Sequence, residues 1–162
     1  MPNDRVVVNS SPLITLCKSN QEEILPKLFS EIAVPGAVWD EVLAGGVADL
    51  AAQKLPSFNW AHREASIVTP PLIQAWDLGA GESEILAFAY SKPGYLAVID
   101  DTAARRCARA LNISVIGTVG LFVVAKRRNL ITEAMPHIEE LRNAGLWLAD
   151  SLIEKLRQQL GE

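Results

Sequence analysis

An α/β fold, with a central parallel sheet covered on both faces by helices, is the class predicted for this chain of 162 residues. Three observations carry it. Short β-branched apolar runs alternate with helix-like segments, the runs at 6–8 and 95–99 are continuously apolar as doubly covered strands require, and residues 95–116 read as a strand, a helix and a strand. One domain spanning 1–162 is expected, long enough to bury roughly 70% of its unfolded surface. Hydrophobic residues at 49% and charged residues at 21% exclude a disordered or collagen-like chain.

Taken in order, Val6, Val7 and Val8 make 5–9 a buried strand, and Ser11 followed by Pro12 supplies a cap and first-turn proline for a helix. Asn20 with Glu23 signals a second helix containing Pro26, and 31–34 a second strand. Pro35 and Gly36 open a helix that the Gly45-Gly46 pair stops, and 50–55 is helical. Residues 66–69 are expected as a strand before Pro70-Pro71, and the Gly-rich segment from Leu78 opens a helix through Ile85 and Phe88. A strand at 95–99, a helix at 102–111, a strand at 113–116 and a helix at 118–128 follow. Helices at 136–142 and 152–160, the last capped by Asp150-Ser151, end the chain.

Several function classes fall away. The apolar stretch 119–125 is far short of the ~20 residues that cross a bilayer, so no membrane association is expected. With no secretory leader recognised at the N-terminus, a cytoplasmic location is the expectation. Cys17 and Cys107 have no CxxC or paired His and read as buried small apolar residues. His62 and His137 form no metal motif, and Ser10 and Ser11 lack a GxSxG setting. Trp39, Trp60, Trp76 and Trp147 are scattered, as core or dimer packing would have them rather than a base-stacking platform. A net charge of −4 and a pI near 5.2 argue against bulk-charge binding of nucleic acid.

The acids nevertheless have a pattern. In open parallel sheets ligands bind outside the carboxyl ends of the strands, where strand order reverses, and Asn9, Asp100 and Asp101 fall at such ends. Glu41, with Ala37, Val38 and Val42 as helical neighbours, and Glu82, in the first turn of its helix, can lean into the same crevice. Carboxylates converging without Lys or Arg repel one another unless a hard cation such as Mg²⁺ or Mn²⁺ joins them. Such a cation suits phosphodiester hydrolysis. Each residue alone has a plainer reading: Glu41 a solvated helix face, Glu82 a helix N-terminus, Asp100 or Asp101 a cap, and Glu84 a surface acid.

Downstream of the acids, 102–132 holds Arg105, Arg106, Arg109, Lys126, Arg127 and Arg128 and no acid, a candidate phosphate-contacting surface. Arg105 and Arg109 share a helix face; Arg105 beside Asp101 is equally consistent with a structural ion pair, and Lys126 to Arg128 also suit a helix C-terminus.

Val6-Val-Val-Asn-Ser-Ser-Pro-Leu-Ile-Thr-Leu, Val34-Pro-Gly-Ala-Val-Trp-Asp-Glu, Leu78-Gly-Ala-Gly-Glu-Ser-Glu, Val98-Ile-Asp-Asp-Thr-Ala-Ala-Arg and Ile116-Gly-Thr-Val-Gly-Leu together resemble the PIN-domain family. The likeness is to short stand-alone members related to toxin subunits of toxin and antitoxin pairs, and it spans nearly the whole chain. It implies a three-layer α/β/α fold and a Mg²⁺- or Mn²⁺-dependent endoribonuclease, with an antitoxin protein and a homodimer as partners. It places the family's acids at position 9, Glu41, Glu82 and either Asp100 or Asp101. The departure is Asn9, where the family has Asp: an amide carbonyl ligates without charge and cannot act as a base. Two rival readings stand beside the enzyme, a noncatalytic RNA-binding or protein-interaction module and a phosphotransfer protein of another α/β type. The latter wants an acidic cluster or DxD on the first strand, which Asn9 does not provide.

Overall fold

A computed structural model describes residues 4–162. Five parallel strands, β1 (Arg5–Val8), β2 (Glu31–Pro35), β3 (Ala61–Glu64), β4 (Tyr95–Val98) and β5 (Val115–Ile116), are ordered β3-β2-β1-β4-β5. The chain builds outward from β1 to one edge, then returns to β1's other side for β4 and β5. Strand order therefore reverses between β1 and β4, paired from Arg5↔Tyr95 to Val8↔Val98. Val6, Val7 and Val8 have no accessible surface, because helices cover both faces of the central strand.

The helices are α1 (Ser10–Lys18), α2 (Ile24–Leu28), α3 (Gly36–Leu43), α4 (Leu50–Lys54), α5 (Pro71–Gln74), α6 (Ala80–Ser91), α7 (Thr102–Ala110), α8 (Thr118–Arg127), α9 (Met135–Asn143) and α10 (Asp150–Leu160). One group packs α3 against α6, α1 and α4; another packs α8 against α2 and α9. No helix among the described residues is long and apolar enough to cross a membrane.

Four local expectations are corrected. The third strand is β3, not 66–69: β3 is held by pairing with β2 although its own sequence is polar, whereas Val68 is 88% exposed. The cap of α1 is Asn9, not Ser11, and Pro12 is the third helical residue, where its missing N–H costs nothing. Asn20 does not start α2. It takes φ 59° beyond the end of α1, and α2 begins at Ile24, which leaves Pro26 in a first turn that tolerates it. Asp150 and Ser151 lie inside α10, whose N-cap is Ala149, and Asp150 pairs instead with Arg142.

Candidate active site

Beyond the carboxyl ends of β1 and β4, where strand order reverses, strand ends and helix starts come together. The Asn9 N–H donates to the Val98 carbonyl at 3.1 Å, so position 9 still belongs to the sheet. Its side chain, 1% exposed, turns back to accept from the Ser10 N–H at 2.9 Å and so caps α1. The next side chain reaches across: Ser10 Oγ donates to Glu41 Oε2 at 2.8 Å.

Glu41 arrives on α3, which β2 delivers beside β1. Its carboxylate lies against the first turn of α6, where a Cβ at Gly81 would stand 2.6 Å from Glu41 Oε2. Glu82, the next residue, folds back over Gly79, with Oε2 at 2.6 Å from a Cβ there. The glycines admit both carboxylates to one helix N-terminus, whose unpaired amides and dipole moderate their repulsion.

Asp100 and Asp101 have different duties. Asp101 is exposed and caps its own helix, accepting from the Ala104 N–H at 2.9 Å. Asp100 is half-buried and crosses to α8, accepting from the Thr118 N–H at 2.8 Å and from Thr118 Oγ1 at 2.6 Å. It replaces the cap that Gly117 cannot provide.

Beside it, Arg105 Nη1 donates to the Ile99 carbonyl at 3.2 Å. Both Arg105 Nη1 and Asp100 Oδ1 come within 2.7–3.1 Å of where a Cβ of Gly117 would be. Arg105 forms no ion pair with Asp101 among the described residues. Arg106 and Arg109 are exposed on α7. The later basic cluster divides: Lys126 pairs with Glu162 at 2.7 Å and Arg128 donates to the Leu28 carbonyl, while Arg127 is exposed.

The donors suit a hard divalent cation in kind. All are oxygens, and among the described residues none of Glu41, Glu82 and Asp100 is ion-paired to Lys or Arg. They fall short in charge and in clustering. Position 9 offers an amide, both Asp100 oxygens are engaged by Thr118, and no three His, Cys, Asp or Glu side chains among the described residues form a metal-holding group.

Sequence reasoning missed three participants. Ser10 and Thr118 hold two of the acids, and Glu84 is not a surface residue: it is 7% exposed and accepts from the Ala37 N–H at 3.1 Å, anchoring the start of α3. Its signal was spacing, since Glu84 lies on one helical stripe with Gly81 and Phe88, both buried. Both cysteines are buried; burial, with Glu22 adding to it, pushes the Cys17 thiol up to about 12, and burial raises Cys107, so neither supplies a thiolate. His137 stacks on Phe122 and meets Gln21, away from the acids. Trp39 and Trp60 pack against the core, but Trp76 is 39% and Trp147 83% exposed, so the core half of the core-or-dimer expectation fails for these two.

Compared with known proteins, the chain matches a family model described as a PIN domain over residues 5–162. No curated protein matches.

Proposed function

The chain belongs to the PIN-domain family, and from that premise we propose that it is a metal-dependent endoribonuclease of toxin type, weakened by Asn9 in place of the first acid. The observation that carries the reading is that Asn9, Glu41, Glu82 and Asp100 come from four segments to the carboxyl end of the sheet, on either side of the point where strand order reverses. These four would hold Mg²⁺ or Mn²⁺, with Asp101 kept to its capping duty. When bound, such an ion supplies an acidified water and offsets charge on an RNA phosphodiester.

The chain's own residues do the rest. Ser10 fixes Glu41, Thr118 fixes Asp100, and the open first turn of α6 receives Glu41 and Glu82. Arg105 and Arg109 are the proposed phosphate contacts: Arg105 is held beside Asp100 by its bond to Ile99, and Arg109 stands one helical turn further along α7. An antitoxin protein and a homodimer complete the reading, on the family resemblance alone.

A noncatalytic RNA-binding module is the second reading, favoured by the uncharged position 9 and by Thr118 occupying Asp100. Divalent-ion titration separates the two. The enzyme reading expects Mn²⁺ binding that Glu82→Gln or Asp100→Asn abolishes; absence of Mn²⁺ binding contradicts it. Charge reversal at Arg105 should weaken RNA binding and lower its salt slope by about one; an unchanged slope removes Arg105 from the substrate surface.

A further inference from the structure

A groove of about 470 Å³ opens beside Asp100 and Arg105, between the outer edge of β5 and the segment joining α9 to α10. Such a volume lies within the range of small-molecule sites, about 300–1,000 Å³. Its apolar wall includes Val119, Leu146, Leu148 and Leu152. Trp147 stands on the rim at 83% exposure, yet its neighbours anchor it: Leu148 is 8% exposed and Leu146 packs against the core. The indole is thus a large aromatic surface turned to solvent on a segment tied down on both sides. No cost of a mobile loop attaches to its position.

Two glycines line the groove, one facing Asp100 and Arg105 and the other Ile116. A Cβ at Gly117 would stand 2.7 Å from Arg105 Nη1 and 3.1 Å from Asp100 Oδ1, and one at Gly120 would stand 2.7 Å from Ile116 Cγ1. One end of the groove is therefore apolar and aromatic, and the other holds the Arg105 guanidinium beside the Asp100 carboxylate, whose two oxygens are taken up by Thr118. A nucleotide has the matching halves, a base with a π-face and a phosphate.

We infer that this groove is a nucleobase subsite, in which a base of single-stranded RNA flanking the cleaved linkage stacks on Trp147 while its phosphate faces Arg105. The inference rests on the nuclease reading and deepens it by assigning a contact to the base rather than the backbone. The groove's own lining has one basic and one acidic side chain, and it is the basic face of α7 beside it that favours RNA over a second copy of the chain as occupant. Helix α7, which carries Arg105 into the groove, also carries exposed Arg106 and Arg109 and no acid. A protein interface core, by contrast, is depleted of charge and needs about 800 Å² per partner. Apart from Trp147 and Leu152, the exposed large apolar side chains, such as Val47, Val68 and Leu72, lie on segments that do not line this groove.

The test is equilibrium binding of a fluorescent single-stranded RNA octamer in EDTA, beside an abasic octamer of the same charge, so that no cleavage is required. Trp147→Ala should bind the RNA about 5- to 150-fold more weakly, the span expected for one stacked base. Trp147→Phe should bind like the parent, and the abasic octamer should not distinguish the three proteins. Equal RNA affinity for parent and Trp147→Ala overturns the subsite, as does an equal loss on the abasic strand. So does sedimentation in which Trp147→Ala turns a dimer into a monomer, because the groove is then the face of a second copy. RNA bound in a Trp147-dependent way but never cut in Mn²⁺ leaves the subsite standing and removes the nuclease; RNA cut in Mn²⁺ with binding indifferent to Trp147 does the reverse.

Discussion

Asn9 does one thing that an aspartate would do equally well and lacks one thing that an aspartate would bring. Its carbonyl caps α1 through the Ser10 N–H, a task for which Asn and Asp are nearly equivalent, but it brings no charge to the metal site proposed for it with Glu41, Glu82 and Asp100. The fold tolerates the amide while the proposed metal site would lack a ligand charge, so an Asn9→Asp variant should change chemistry with little change in folding. Gly81 gives a second separation of the two. In Gly81→Ala the new Cβ would meet Glu41 Oε2 at 2.6 Å, and because a carboxylate at the end of a flexible chain can swing away, stability should hold or rise by about 0.5–1 kcal/mol. Mn²⁺ affinity and RNA cleavage should nevertheless fall, as calorimetry and a cleavage assay on one preparation would show. Unaltered activity would mean that the seat of Glu41 against α6 is immaterial. Thr118→Val removes a buried hydroxyl's bond to Asp100, and urea unfolding should register a loss of about 1–2 kcal/mol.

At the scale of elements, the acids are placed by helix starts, and those starts are held from outside. Helix α3 has no side-chain cap of its own, and Glu84 of α6 supplies the acceptor for Ala37. Glu84→Ala should cost about 1–2 kcal/mol and lower Tm by about 2–8 °C, whereas Glu82→Ala, two residues away and partly exposed, should leave Tm nearly unmoved. Equal effects would deny Glu84 its anchoring role. Such contacts mark the boundary of what sequence alone conveys. Val6 to Val8, the open start of α6 and the strand before Asp100 were legible because local patterning and burial agree there. Strand β3 was not, because its pairing with β2 outweighs the propensity of Ala-His-Arg-Glu, and neither was the cap from Asp100 to Thr118, which joins residues that only the β4–β5 pairing makes neighbours. The different fates of Asp100 and Asp101 follow from the same long-range pairing.

Across the whole molecule, charge is spent on tying segments together as well as on the crevice. Glu162 accepts from Lys126 of α8 and from the Ala134 and Met135 N–H groups at the start of α9. Burial alone would raise its carboxyl, but these hydrogen bonds and the Lys126 charge hold it below the ordinary value. Because the folded pKa lies below the unfolded one, this stabilisation is fully present above the usual carboxylate range and is lost as pH falls through the folded value. Urea unfolding in mild acid should therefore show a flatter dependence on pH for Glu162→Gln than for the parent; parallel curves would contradict it.

The acid-free stretch from Thr102 to Thr132 likewise resolves into parts. Lys126 and Arg128 are structural, Arg105 bonds the Ile99 carbonyl, and Arg106, Arg109 and Arg127 are exposed. The molecule as a whole is then a PIN-domain scaffold whose proposed metal site has an amide in place of one carboxylate at the carboxyl end of its central strand. Cleavage of an end-labelled RNA in Mn²⁺ by the parent and by Asn9→Asp tests that claim most directly. The variant should bind Mn²⁺ and cut RNA better than the parent, by about tenfold or more; identical metal affinity and identical cleavage would show that position 9 is no part of the site.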